Sequence, residues 1–240
     1  MIGLYGGTGY LGQQIISALQ ARDLNFVLLE EGSSVSNLAS VSAIIDCGFP
    51  RKIHKKLVRK NYEKQFFKKI DQMCKIRKIP YVYLGSFSSA ETSLSHYGRV
   101  KYFAEKLVID RGGMVLKLGL IVSTDKPGGR FLELAKIMRV IPFSLVPHPD
   151  YFPIRTTNLN DLLDHILILV NNIDQEFVNG IKIVQNEGTT LGNLLTRQIN
   201  RNESSVMLSR TTTKLLCKAI QILPLGPMNN LKSIAHRCEK

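Results

Sequence analysis

The sequence has no tryptophan, only four cysteines and no long apolar run, and each shortage removes a class of protein. Cys47, Cys74, Cys217 and Cys238 stand far apart and show none of the paired spacing of a zinc site. They read as reduced thiols of a cytoplasmic protein, and no metal is expected. The longest apolar stretch, 162–170, is interrupted by Asp164 and His165 and falls far short of the ~20 residues a membrane span needs. No charged leader and apolar segment stand ahead of the strand-like residues 1–5, so a secretory signal is not expected. Acidic residues are also in short supply, 19 against 32 Lys and Arg, for a net charge of +13. Such an excess raises the question of nucleic acid or an anionic membrane. Its densest run, 51–78, interleaves Phe66, Phe67, Ile70, Met73 and Cys74 at helical spacing. That pattern reads as one solvated helix face, with recruitment of an acidic partner as the lesser alternative. Nucleic acid is not the expected partner.

A chain of 240 residues that is 44% hydrophobic can bury a full core. Short apolar segments at 2–5, 25–30, 42–47, 81–84, 114–122 and 181–185 read as strands. Helical patterns at 10–21, 62–77, 97–110, 131–138 and 160–170 alternate with them. This alternation predicts an α/β fold, a Rossmann-type doubly wound parallel sheet with a small C-terminal substrate-binding lobe. The Rossmann core is expected over residues 1–124, with 156–185 returning to it. Residues 125–155 and 186–240 then form a reduced substrate lobe and a basic tail. Segment 32–41 is short for a full crossover, so one element is expected to be trimmed there. Prolines and glycines break up 125–155, where a substrate-covering insertion would sit.

Gly6, Gly9 and Gly12 form a G-x-x-G-x-x-G turn between the first strand and the first helix. A dinucleotide needs glycines at such a turn because the backbone must bend sharply and approach a pyrophosphate closely, while the helix amides face the anion. Thr8, Tyr10 and Leu11 lie within the same turn and are counted with it as cofactor-binding. Glu30 ends the second strand, and a carboxylate there would bond adenosine ribose hydroxyls and repel a 2′-phosphate, favouring NAD(H) over NADP(H). Ser33 and Ser34 would instead serve a phosphate if the loop carried Glu30 away. Cys47 and Gly48, at the carboxyl end of the third strand, are small enough to let an adenosine pass.

Tyr97 and Lys101 are four apart on a predicted helix and share a face. An ammonium beside a phenol favours the phenolate, which makes Tyr97 usable as an acid or base. Ser86 follows the strand at 81–84 and is placed to bond a substrate oxygen and stabilise the charge developing on it. Ser88 and Ser89 compete for that role. His96 adjoins Tyr97 but points elsewhere and reads as structural.

These residues together resemble the short-chain dehydrogenase/reductase superfamily, in its extended branch of nucleotide-sugar epimerases, dehydratases and reductases. The resemblance covers roughly residues 1–195 and rests on the glycine turn, Ser86, Tyr97 with Lys101, the 116–121 strand, Pro153-Ile154 and the 160–164 helix start. It implies that Lys101 also bonds the nicotinamide ribose, that the 118–121 loop, with Leu118, flanks the nicotinamide, and that a homodimer forms through the helices near Tyr62 and Tyr97. Two departures stand out. The chain is short for that branch, and after the third strand it has Cys47-Gly-Phe-Pro50 where an alanine pair is common.

The expected activity is therefore NAD(P)-dependent oxidoreductase or epimerase chemistry at a carbonyl or hydroxyl carbon of a nucleotide-linked sugar, as in cell-surface polysaccharide biosynthesis. Arg130 and Arg155, with Lys136 and Arg139, are the cations available for the substrate pyrophosphate. The alternative is a non-catalytic dinucleotide sensor or assembly factor with the same fold. The segment 214–223 can form an amphipathic helix; docking on the protein itself is its commoner fate, and weak contact with a membrane surface the other.

Overall fold

The computed structural model describes residues 1–29, 40–49, 56–75, 79–93, 95–123, 144–146, 153–184, 187–190, 193 and 205–213. Glu30, Ser33, Ser34, Arg130, Lys136, Arg139, the 131–138 helix pattern and the 214–223 segment lie outside them, as do most of 125–155 and 186–240.

Six strands form a parallel sheet: β1 (Ile2–Tyr5), β2 (Phe26–Leu29), β3 (Ala43–Asp46), β4 (Tyr81–Leu84), β5 (Met114–Lys117) and, later in the chain, β9 (Gly180–Ile183). Their order is β2-β1-β3-β4-β5-β9. Strands β1, β3 and β4 are buried along their whole length, as expected of strands covered on both faces. Between them run α1 (Tyr10–Gln20), α2 (Lys56–Lys75) and α3 (His96–Asp110). On one face Ile15 and Leu19 of α1 join Leu162 and Ile166 of α4 (Leu159–Asn171) over β1, β3 and β5. On the other, Phe66 and Ile70 of α2 pack with Val100, Ala104 and Val108 of α3 against Ile44, Tyr81 and Tyr83.

The helices start where local chemistry dictates. Ser95 caps α3 by accepting the Gly98 amide at 3.0 Å, and Asn158 caps α4 by accepting the Asn160 amide at 2.8 Å. His96 Nε2 lies 2.8 Å from Glu63 Oε1, where α3 meets α2.

The continuous strand expected over 114–122 is divided. After β5 the chain leaves the main sheet at Leu118-Gly119, where the Gly119 amide bonds Thr157 Oγ1 at 2.8 Å. It then enters a second sheet as β6 (Leu120–Val122), beside β8 (Pro153–Asn158) and β10 (Glu187–Thr190), in the order β10-β8-β6. Apolar periodicity runs unbroken through both halves, so it marks no change of sheet. A short pair, β7 (Ser144–Val146) with β11 (Ser205–Met207), and the one-turn α5 (Ile173–Glu176) complete the described elements. No helix among the described residues is long and apolar enough to cross a membrane.

Candidate active site

The chain winds from β1 through α1 to β2 on one side and from β3 through α2 to β4 on the other, so the strand order reverses between β1 and β3. Tyr5 faces Asp46 in register across that junction, and open α/β sheets bind ligands at the carboxyl ends of such a pair. Gly6 sits there with φ +77°, and a Cβ on it would lie 2.6 Å from the Gly48 nitrogen. A side chain on Gly12 would overlap the Gly6 carbonyl. Backbone therefore packs on backbone from both sides of the crevice. Helix α1 begins at Tyr10 without a side-chain cap or an acidic residue in its first turn, which leaves its positive end to an anion. Both features fit a dinucleotide pyrophosphate. Among the described residues no group of His, Cys, Asp and Glu could hold a metal ion.

The turn after β3 is fixed from below. Asp46, wholly buried, accepts the Gly48 amide at 2.7 Å, the Lys69 ammonium at 2.6 Å and the Tyr81 hydroxyl. Lys69 also lies 4.4 Å from the centre of the Tyr5 ring. Cys47 donates its thiol to the Tyr5 carbonyl at 2.8 Å. Burial and then the neighbouring Asp46 push that thiol up to about 12, so it is an inert packing group. Phe49 next along places its ring 4.7 Å, edge-on, from Tyr97.

Lys101 is buried at 4% exposure and donates to the Leu84 carbonyl at 2.7 Å. Its ammonium lies 4.3 Å from the Tyr83 ring centre and 5.6 Å from that of Phe49. Tyr83 carries a buried hydroxyl with no hydrogen-bond partner among the described residues; burial foremost, then Asp46, Tyr97 and Glu105, raises its pKa well above the usual phenol value. It is a neutral floor beneath the ammonium. The loop after β4 is held from α3: Glu105, 3% exposed, accepts the Ser86 amide at 2.8 Å, the Ser89 hydroxyl at 2.6 Å and the Lys117 ammonium at 2.9 Å. Ser86 Oγ accepts the Ser88 amide at 3.1 Å.

Gly6, Gly9, Gly12, Cys47 and Gly48 thus line the β1/β3 junction, with Thr8, Tyr10 and Leu11 in the same turn. Tyr97 and Lys101 meet them through Phe49, and Ser86 stands two residues beyond the carbonyl that Lys101 holds. Leu118 has its side chain in the core at 4% exposure, and its carbonyl accepts the Phe87 amide at 2.9 Å. Arg155 sets its guanidinium 4.5 Å over the Phe87 ring, beside Ser86 in sequence. A cavity of about 220 Å³ between α1 and α4, lined by Gln14, Ser17, Ser123 and Asn160 among others, contains none of these residues.

No family model matches the sequence, and no curated protein does. Solved structures do match. A dTDP-4-dehydrorhamnose reductase from Bacillus anthracis in complex with NADP aligns over 88% of this chain and 84% of its own, with TM-score 0.65 and 13% identity. A UDP-N-acetylglucosamine 4-epimerase from Bacillus cereus aligns over 87% and 84%, with TM-score 0.63 and 14% identity. A short-chain dehydrogenase/reductase superfamily protein from Agrobacterium tumefaciens with bound NAD aligns over 87% and 85%, with TM-score 0.63 and 14% identity. The fold is that of the short-chain dehydrogenases/reductases.

Within this short-chain dehydrogenase/reductase fold, the departure at Cys47-Gly48-Phe49 acquires a structural meaning, since Phe49 is the group through which the turn touches the Tyr97 helix. Asp46, Lys69, Tyr83, Glu105 and Lys117 were not singled out from the sequence. Two of them had a signal. Asp46 is a charge in an otherwise apolar buried strand, which demands partners, and Glu105 continues the 97/101 spacing by one more turn.

Proposed function

We propose that this chain is an NAD(P)-dependent oxidoreductase or epimerase acting at a carbonyl or hydroxyl carbon of a nucleotide-linked sugar. The observation that carries the reading is the buried Lys101 ammonium, fixed by Leu84 and Phe49 on the same helix face as Tyr97, at the edge where the glycine turn opens. Gly6, Gly9 and Gly12, with the amides of Tyr10 and Leu11, would receive the pyrophosphate, and Cys47 and Gly48 would border the adenosine. A bound reduced nicotinamide supplies the hydride. Tyr97 holds the proton that goes to the substrate oxygen, so the carbonyl gains a hydride at carbon and a proton at oxygen, and the phenolate is reprotonated from solvent. Ser86 Oγ orients that oxygen. Lys101 keeps one N–H on Leu84 and offers the others to the ribose. Arg155, with Arg130, would meet the substrate's diphosphate.

NAD(H) is preferred over NADP(H) on the strength of Glu30, and 125–155 with 186–240 are assigned to the substrate lobe. The similar structures with reductase and epimerase names support the general kind of reaction. The test is oxidation of NADH and of NADPH by the protein across a panel of keto-sugar nucleotides. At least one substrate should consume the reduced dinucleotide, NADH faster than NADPH. Tight dinucleotide binding with no turnover on any member would favour the sensor reading instead.

A further inference from the structure

Glu105 is a buried carboxylate that the reaction above does not use, yet two of its three polar contacts among the described residues bear on the loop after β4. Oε1 takes the Ser86 amide at 2.8 Å, and Oε2 takes the Ser89 hydroxyl at 2.6 Å and Lys117 Nζ at 2.9 Å. A Cβ on Gly85 would come within 2.7 Å of Oε1, so the loop backbone is pressed onto the carboxylate. Glu105 lies on α3 one turn beyond Lys101 and two beyond Tyr97. The Lys117 partner at the end of β5 is largely buried at 18% exposure, and its ammonium at 2.9 Å orients the carboxylate. We propose that Glu105 is a positioning residue: it pins the Ser86 loop to the helix that carries Tyr97 and Lys101, and so sets the register between the hydroxyl that orients the substrate oxygen and the phenol that protonates it. This rests on the roles proposed above for Ser86 and Tyr97, and its geometry is testable without them.

The experiment compares Glu105→Gln, Ser86→Ala and the double variant with the unmodified protein, in kinetics and in amide hydrogen exchange. Gln keeps the volume and the acceptor for Ser86 but turns an NH₂ toward Lys117 and Ser89. The expected result is exchange at residues 85–89 faster by about tenfold, dinucleotide affinity unchanged, and kcat lower by roughly 10- to 100-fold, the scale of a 1 Å misplacement. Because Glu105 acts through Ser86, the double variant should be no slower than Ser86→Ala alone. Unchanged exchange, or losses that multiply, would overturn the proposal. If Glu105→Gln does not fold, Lys117→Gln removes only the ionic partner. It should then show the same split between kcat and dinucleotide affinity at smaller amplitude, and equal losses in both would overturn it. Should the unmodified protein turn over no keto-sugar nucleotide, the oxidoreductase reading fails by itself, and the exchange rates still decide whether the pin exists.

Discussion

The loop after β3 and the loop after β4 are secured by the same three groups, a backbone amide, a hydroxyl and an ammonium converging on one buried carboxylate, yet the carboxylates come from different places. Asp46 is part of the strand it terminates and holds an amide two residues away, Gly48. Glu105 comes from α3 and holds an amide 19 positions earlier, Ser86. The first arrangement shapes a turn locally, and the glycine backbone of Gly6 packs against the result. The second ties two elements together, one carrying the proposed orienting hydroxyl and the other the proposed proton donor. A local pin should therefore govern cofactor fit, and a long-range pin should govern the alignment of catalytic groups.

Breaking the local pin gives the largest expected effect. Asp46→Ala leaves the Lys69 ammonium, the Tyr81 hydroxyl and the Gly48 amide without their acceptor, and removing one partner of a buried pair costs about 3–5 kcal/mol; urea denaturation would measure it. Gly12→Val attacks the same edge by overlap with the Gly6 carbonyl. It should weaken dinucleotide binding in a fluorescence titration by more than about 100-fold, roughly 2.7 kcal/mol, while the loop after β4 keeps its exchange protection. Ser95→Ala touches the other edge, removing the cap from the first turn of α3, where Tyr97 sits. Thermal unfolding should report a loss of about 1 kcal/mol, with dinucleotide affinity intact. The exposed pair Arg22–Asp164, 55% and 64% accessible and 3.4 Å apart, is the useful contrast. Arg22→Ala should change stability by no more than about 0.5 kcal/mol, because water already solvates both charges.

Much of the fold is legible in the sequence. The glycine spacing marked the crevice, the apolar runs marked the strands of the main sheet, and the four-residue step from Tyr97 to Lys101 placed both on one helix face. All of these are local patterns with a fixed period. What was not legible depends on which distant groups converge. Asp46 could be seen to need a partner, but nothing in its neighbourhood names Lys69 or Tyr81. Glu105 continues a visible spacing, while Lys117 and Ser89 reach it from a strand and a loop. The break at Leu118-Gly119 leaves no mark in the sequence, because a strand that changes sheet stays as apolar as one that does not.

The proposed mechanism requires Tyr97 to be the proton-handling group beside a dinucleotide. Tyr97→Phe removes one hydroxyl and keeps the ring that meets Phe49, so turnover with NADH and a keto-sugar nucleotide should fall by about 1000-fold or more while dinucleotide affinity stays within about twofold of the unmodified protein. Near-normal turnover in that variant would contradict the mechanism.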